Sequence, residues 1–270
     1  MMKTIPALAP DWLRRLDARI DEQPAHPRSP LVLLTAGEAR GVTIGSIESE
    51  LALQLAAAGY PLRDGGKSWN IELPNREAIG GALAGIAEWL HANRHVSGWR
   101  DELLAVTDAH NALVSVIERA AVRPLGIATQ AVHLVASDQS GAVWVQQRAF
   151  DKAVDPGLWD TTMGGLVSAR ESVSQTLVRE TWEEAGLQTD ELRELAPFGR
   201  FTVRRPTPDG YMVEHIHMFE AVLPGAMQPV NQDGEVERFE CLEREALVER
   251  LHADQFTLEA AAILAAWLRR

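Results

Sequence analysis

Three glutamates, Glu180, Glu183 and Glu184, stand at i, i+3 and i+4 in a stretch where Val173, Leu177, Thr181 and Ala185 recur at helical spacing as a buried stripe. On a helix that spacing gathers the three carboxylates on one face. Left to themselves they repel one another and disfavour the helix. A hard divalent cation removes the conflict, because it takes oxygen ligands and binds through carboxylates together with substrate phosphates. Arg179 is placed to pair with Glu183 one turn on or to reach back toward Glu171. Ser168 followed three residues later by Glu171 is a capping-box pattern, so the helix is expected to begin near Ala169 and to stop at Gly186. These residues predict metal-assisted chemistry on phosphate.

A solvated acidic surface also contains glutamates at this spacing. The surrounding positions separate the two readings: Gly165, then Glu171, Arg179-Glu180, Glu183-Glu184 and Gly186-Leu187. This run resembles the signature of the Nudix hydrolases, a family of metal-dependent diphosphate hydrolases. Thr181 departs from it where the family carries an aliphatic residue, and Arg170 where many members carry glycine. The resemblance implies an α/β (α+β) protein, with a Nudix α/β/α sandwich built on a mixed sheet. It implies Mg2+ (or Mn2+) held by Glu180, Glu183 and Glu184, and makes Glu180 a candidate general base. In many members a glutamate outside the helix does that work, and Glu235 or Glu237, after the Asp233-Gly234 turn, is the candidate here.

Outside the signature the chain is similar to a Nudix branch described as related to thiamine pyrophosphokinase, whose members carry a dedicated N-terminal domain. The stretches that match are Gly98-Trp99-Arg100-Asp101-Glu102, Ile117-Glu118-Arg119-Ala120, Leu125-Gly126, Val132-His133-Leu134, Gln147-Arg148, Lys152, Pro156-Gly157, Gly164-Gly165 and Asn231 through Val236. Some members resemble enzymes that hydrolyse damaged or oxidised thiamine diphosphates. Asp155 before Pro156-Gly157, and Leu158 through Thr162, depart from the branch at the mouth of the expected site.

Other residues have two readings. Gly164 and Gly165 permit close backbone approach to metal and substrate. Arg148 and Lys152 follow a strand, as a phosphate clamp or as plain surface cations. On the second hairpin, strand alternation puts Arg200 and Arg204 on one face and Arg205 on the other. His215 and His217 share a strand face, but without a third ligand they read as structural. Trp99, Trp159 and Tyr211 read as core or domain-contact residues more readily than as stacking platforms. Cys241 is the only cysteine and reads as a small buried apolar group. It lies far beyond the signature, so the isomerase chemistry that shares this fold and needs a catalytic cysteine is not expected.

The elements that must position these groups fall into two halves. A smaller N-terminal α+β domain is expected over 1–128, with a helix around Trp12–Ile20, strands at Leu31–Leu34, Val42–Ile44 and Trp69–Leu73, helices at Ile47–Ala58 and Arg76–Ala92, and a hairpin around Asp108-Ala109-His110. The hydrolase domain is expected over 129–270. Its strands are Ala131–Ala136 and Ala142–Gln147, followed by the signature helix, a long hairpin with Pro206 to Gly210 at its tip, and closing helices at Leu242–Leu251 and Leu258–Leu268. With 46% hydrophobic and 24% charged residues the chain is an ordinary globular protein. A net charge of −12 argues against broad nucleic-acid binding, which needs a basic surface. No membrane span or signal-like segment is present, and a single cysteine suits the cytoplasm. The expected partner is a small-molecule diphosphate substrate, and a homodimer is also open. The alternative function is a non-catalytic Nudix module that binds a nucleotide-like ligand in a regulatory role.

Overall fold

In the computed structural model, residues 7–38, 40–96, 98–152 and 154–270 are described. The first half runs α1 (Pro10–Ile20), β1 (Arg28–Thr35), β2 (Val42–Glu48), α2 (Ser49–Ala57), β3 (Leu62–Asp64), β4 (Trp69–Leu73), α3 (Ala78–Ala92), β5 (Leu103–Thr107) and β6 (Leu113–Glu118). The second runs β7 (Ala128–Ser137), β8 (Val143–Arg148), β9 (Trp159–Asp160), β10 (Met163–Leu166), α4 (Val173–Ala185), β11 (Arg193–Thr207), β12 (Gly210–Val222), β13 (Val236–Leu242), α5 (Arg244–His252) and α6 (Leu258–Leu268).

In the first half a sheet of order β2-β1-β4-β3 has β1 parallel to β4 and its other pairs antiparallel. Leu31, Ile47, Leu55, Ile71, Leu83 and Ile86 are fully buried between this sheet and its helices. Hairpin β5–β6 packs beside α3 and joins the same core through Leu104, Val106 and Ile117. Pro10 presets the first turn of α1, whose Trp12 and Leu16 are buried. Those two side chains belong not to this core but to that of the second half, where α1 lies against α6 and β11 and the Trp12 ring meets His252 edge-on.

The second sheet has order β11-β12-β7-β8-β13 and is mixed: β12 runs parallel to β7 and the remaining pairs are antiparallel. Pleating sorts the side chains of β7. Val132, Leu134 and Ala136 point to the core under α4, while Ala131 and Val135 join the core formed with α1, α5 and α6. The expected α/β/α sandwich is what forms. β7 and β8 stay paired only at Ala136↔Trp144 and Ser137↔Val143. Beyond that they separate, and β10 (on β7) and β9 (on β8) fill the opening. The cleft that holds the candidate residues lies at this split.

The structure moves the start of the signature helix. Its N-cap is Ser172, whose side chain accepts from Gln175 N–H while Gln175 caps back, in place of the Ser168/Glu171 box expected from sequence. The reason is that Glu171 is committed to Arg179 and Thr176. Gly186 ends the helix at φ 62°, a left-handed conformation suited to glycine. Strand β13 has no apolar alternation because it is an edge strand, and Glu237, Arg238 and Glu240 keep that edge charged.

Candidate active site

The carboxylate cluster forms around Arg179. Arg179 does both of the things its spacing permits. Its Nε and Nη2 grip Glu171 Oε1 and Oε2 at 2.7 and 2.8 Å, and its Nη1 bonds Glu180 at 2.9 Å and Glu183 at 2.8 Å. The Glu171 bonds come first, then the charges of Glu180 and Glu183, and together they hold the guanidinium more firmly protonated than usual. Arg179 in turn holds Glu171 below the usual carboxylate range.

Glu184 is buried and accepts from Gln146 Nε2 and from the Gly164 N–H, both at 2.9 Å. Burial pushes its pKa up to about 8 against those two hydrogen bonds, and the charge of Glu180 adds to the rise. Burial likewise pushes Glu180 up to about 7, opposed by Arg179 and reinforced by Glu183 and Glu235. These are carboxylates packed together away from water with one cation between them.

The two glycines of β10 do opposite jobs on its two faces. A Cβ on Gly165 would lie 2.1 Å from the Glu180 carboxyl carbon, and one on Gly164 would lie 2.4 Å from the ring of buried His133. A side chain at either position would force its neighbour to move. His133 meets Thr161 Oγ1 through Nδ1 at 2.9 Å, and the Thr161 hydroxyl gives its only proton to the Met163 carbonyl. The imidazole therefore carries its proton on Nδ1 and keeps Nε2 as an acceptor. Burial lowers the pKa of His133 against the pull of Asp160, so the ring is neutral.

A loop fixed to the end of α4 supplies the opposite wall. Val230 N–H bonds Ala185 O at 2.7 Å, Gln232 N–H bonds Glu183 O at 3.2 Å, and Asn231 Nδ2 bonds Val236 O at 2.6 Å. That anchors Glu235, whose carboxylate pairs with Lys152. Burial would raise the pKa of Glu235, but the hydrogen bond and charge of Lys152 outweigh it and hold it below the usual range. Arg148 reaches Asp160 at 3.4 Å and the Val154 carbonyl at 3.1 Å.

The structure thus brings Glu180, Glu183, Glu184, Arg179, Glu235, Gly164, Gly165, Arg148 and Lys152 to a single cleft of about 710 Å³. Arg205 lines it too, paired with Glu259 at 3.4 Å, while Arg204 turns to Asp21. Sequence reasoning did not single out His133, Asp160, Glu214, Glu259 or Arg123 as site residues, yet all five line the cleft. Local spacing carries no signal for residues on five separate segments. The aromatic candidates lie elsewhere: Trp159 is buried beneath Arg250 and Arg238, Tyr211 is buried with its hydroxyl on the Glu22 carbonyl, and Trp99 sits by His91. His215 and His217 bond Thr202 and Gln130 as structural side chains. Cys241 is exposed rather than buried, 3.9 Å from Asp138 in the β7–β8 turn.

Among the described residues no three His, Cys, Asp or Glu side chains already converge as a ligand shell, because Glu180 and Glu183 are drawn to Arg179. The donor set nonetheless fits a hard divalent cation. It is all oxygen, it combines a buried carboxylate with two nearby ones, and the absent side chain of Gly165 leaves Glu180 room beside the backbone.

The family model for the NUDIX domain matches residues 128–264, which hold this sheet, α4 and most of the residues lining the cleft. The chain belongs to the Nudix family. An uncharacterized Nudix hydrolase of Pseudomonas aeruginosa is 34% identical over 105 residues, covering 39% of this chain and 60% of the relative. A chloroplastic Nudix hydrolase of Arabidopsis thaliana is 29% identical over 183 residues, covering 66% of this chain and 49% of the relative. The chain therefore spans about half to three fifths of the curated relatives it matches. A crystal structure of a Deinococcus radiodurans protein resembles 63% of this chain and all 100% of its own at 22% identity and a TM-score of 0.51, a likeness of fold. No helix of the described Nudix chain is long and apolar enough to cross a membrane.

Proposed function

We propose that the protein hydrolyses a diphosphate bond in a small organic diphosphate, with Mg2+ (or Mn2+) at Glu180, Glu183 and Glu184. The observation that carries this reading is the carboxylate set on α4, with Glu184 buried and Glu180 and Glu183 joined by Arg179, at the edge of a cleft large enough for such a substrate. When bound, the cation would neutralise phosphate charge and acidify the attacking water. Water attacks phosphorus, the bridging P–O bond breaks, and the attacking water loses a proton. Glu180 is the candidate to take that proton, and Glu235, paired with Lys152, is the candidate outside the helix. Lys152 and Arg148 would sit beside phosphate oxygens, and Arg179 keeps the acidic face in register.

Thiamine-diphosphate-like and damaged cofactor diphosphates stand first among the substrates to try. The support is the branch-like motifs of the N-terminal half, together with an Arabidopsis match longer than the Nudix domain itself.

The test is phosphate release from a panel of organic diphosphates with Mg2+ and Mn2+, using wild type, Glu183→Gln and Glu184→Gln. Metal-dependent cleavage of one compound, reduced by roughly 10³-fold in the variants, is the expected outcome. Cleavage that persists in both variants, or silence across the panel while metal binds, overturns the reading.

A further inference from the structure

Where β7 and β8 part, the ladder between them stops, and buried side chains take its place. Thr162 is fully buried and bridges the two strands: its Oγ1 accepts the Ala136 N–H at 2.8 Å and donates to the Trp144 carbonyl at 2.6 Å. Thr161, equally buried, donates to the Met163 carbonyl and accepts from His133 Nδ1–H, both at 2.9 Å. Its own N–H donates to Asp160 Oδ1 at 2.8 Å. The His133 ring lies against Gly164, which is also its partner in the β7–β10 register. These contacts fix the run from Asp160 to Gly164, and with it the direction of the Gly164 N–H.

That N–H donates to Glu184 Oε2 at 2.9 Å, and Gln146 Nε2 donates to the same oxygen at 2.9 Å. Among the described residues no hydrogen bond reaches Glu184 Oε1, and Glu184 lines the cleft. The carboxylate is anchored by one oxygen and keeps the other for a ligand. Gln146 is 1% exposed, and its Oε1 has no partner among the described residues. A buried amide oxygen without a donor is unfavourable. The amide cannot turn over to relieve it, because its oxygen would then face the Glu184 carboxylate. The side chain is held in a costly state by the bond it makes to Glu184.

We propose that Gln146 and the His133–Thr161 pair are positioning residues: they hold Glu184 by Oε2 so that Oε1 is presented to the cation. Gln146 acts directly on the carboxylate, whereas His133 and Thr161 act through the Gly164 N–H. Neither Gln146 nor Thr161 lines the cleft, so both work from behind it. The proposal rests on the reading of Glu184 as a metal ligand and adds the groups that orient it. Such supporting hydrogen bonds set metal affinity by roughly 10- to 100-fold.

The experiment measures Mn2+ binding to the metal-free full chain by calorimetry, without substrate. Gln146→Leu and Thr161→Val are expected to weaken binding by roughly tenfold or more, while Thr161→Ser, which keeps the hydroxyl, stays within about threefold of wild type. Melting in EDTA confirms that each variant folds. The Gln146 side chain makes its only hydrogen bond among the described residues to Glu184, so Gln146→Leu decides alone should Thr161→Val not fold. Equal Mn2+ affinity in wild type, Gln146→Leu and Thr161→Val overturns the proposal, and so does a Thr161→Ser as weak as Thr161→Val. Hydrogen exchange of the Gly164 amide in the same metal-free proteins separates the proposal from the reading beneath it. A wild type that binds no Mn2+ overturns the metal reading. The anchoring of Glu184 then stands if Gly164 is protected in wild type and loses roughly tenfold or more of that protection in Thr161→Val and His133→Leu. Unchanged protection overturns it.

Discussion

A methyl group is enough to disturb the site at Gly165. Its Cβ would occupy space that the Glu180 carboxyl already fills, 2.1 Å from carbon to carbon, so Glu180 must swing away. Gly165→Ala is expected to lower turnover by about 10²-fold, with a folded protein by circular dichroism, because a displacement of about an ångström costs that much at a positioned group. Glu214 gives a pH dependence at the same scale. Its folded pKa, raised to about 7, lies above the unfolded value near 4.5, so the neutral form is the one the fold favours. The stability it contributes is fully present below about pH 4.5 and is lost as pH rises through about 7. The melting temperature of the wild type relative to Glu214→Gln should therefore fall between pH 5 and pH 8. A difference that is flat or rises across that window would contradict the assignment. Glu259 on α6, with Arg123 and Arg119 from the first half, are the charges that act on Glu214, and Arg205 lies beside Glu259.

At the scale of elements, α4 is held at both ends by side-chain and loop contacts. Ser172 and Gln175 cap its start, while Gly186 and the 230–232 segment close its end against Ala185 and Glu183. Ser172→Ala removes one of the orphan-donor partners of the first turn and should cost about 1 kcal/mol in chemical denaturation. Activity is expected to be kept, because the acidic face is locked by Arg179 rather than by the cap. The spacing of the helix was legible because an amphipathic period and a left-handed stop are local properties. The position of its first turn was not, since Glu171 satisfies both the capping pattern and the pairing with Arg179, and only packing chooses between them. Strand β13 was unreadable for a related reason: an edge strand is charged to prevent pairing, which hides its alternation.

For the whole molecule, the packing of α1 departs from its place in the chain. Trp12 and Leu16 are buried in the core of the Nudix sheet, with α1 against α6 and β11, although a complete sheet and two helices intervene in sequence. Trp12→Ala should destabilise the Nudix core by roughly 3–5 kcal/mol, seen as a shifted unfolding midpoint. If the Nudix domain unfolds as before and only the first half loosens, α1 belongs with the first half after all. The two halves thus meet at α1 and again at a recess beside β12, lined by Arg100, Arg119 and Arg123 of the first half and Glu214 of the second.

By itself the sequence carried the candidate chemistry: the hard-oxygen carboxylates, the arginine that joins them and the glycine that ends their helix. Those features depend on residue type and short-range spacing, which a linear string records in full. Tertiary structure decided which carboxylate lies deepest, what a side chain at Gly164 or Gly165 would displace, and which distant residues share the cleft. Burial and close approach are set by segments brought together from far along the chain. Desolvation then determines that Glu180 and Glu184 are raised while Glu235, beside Lys152, is lowered.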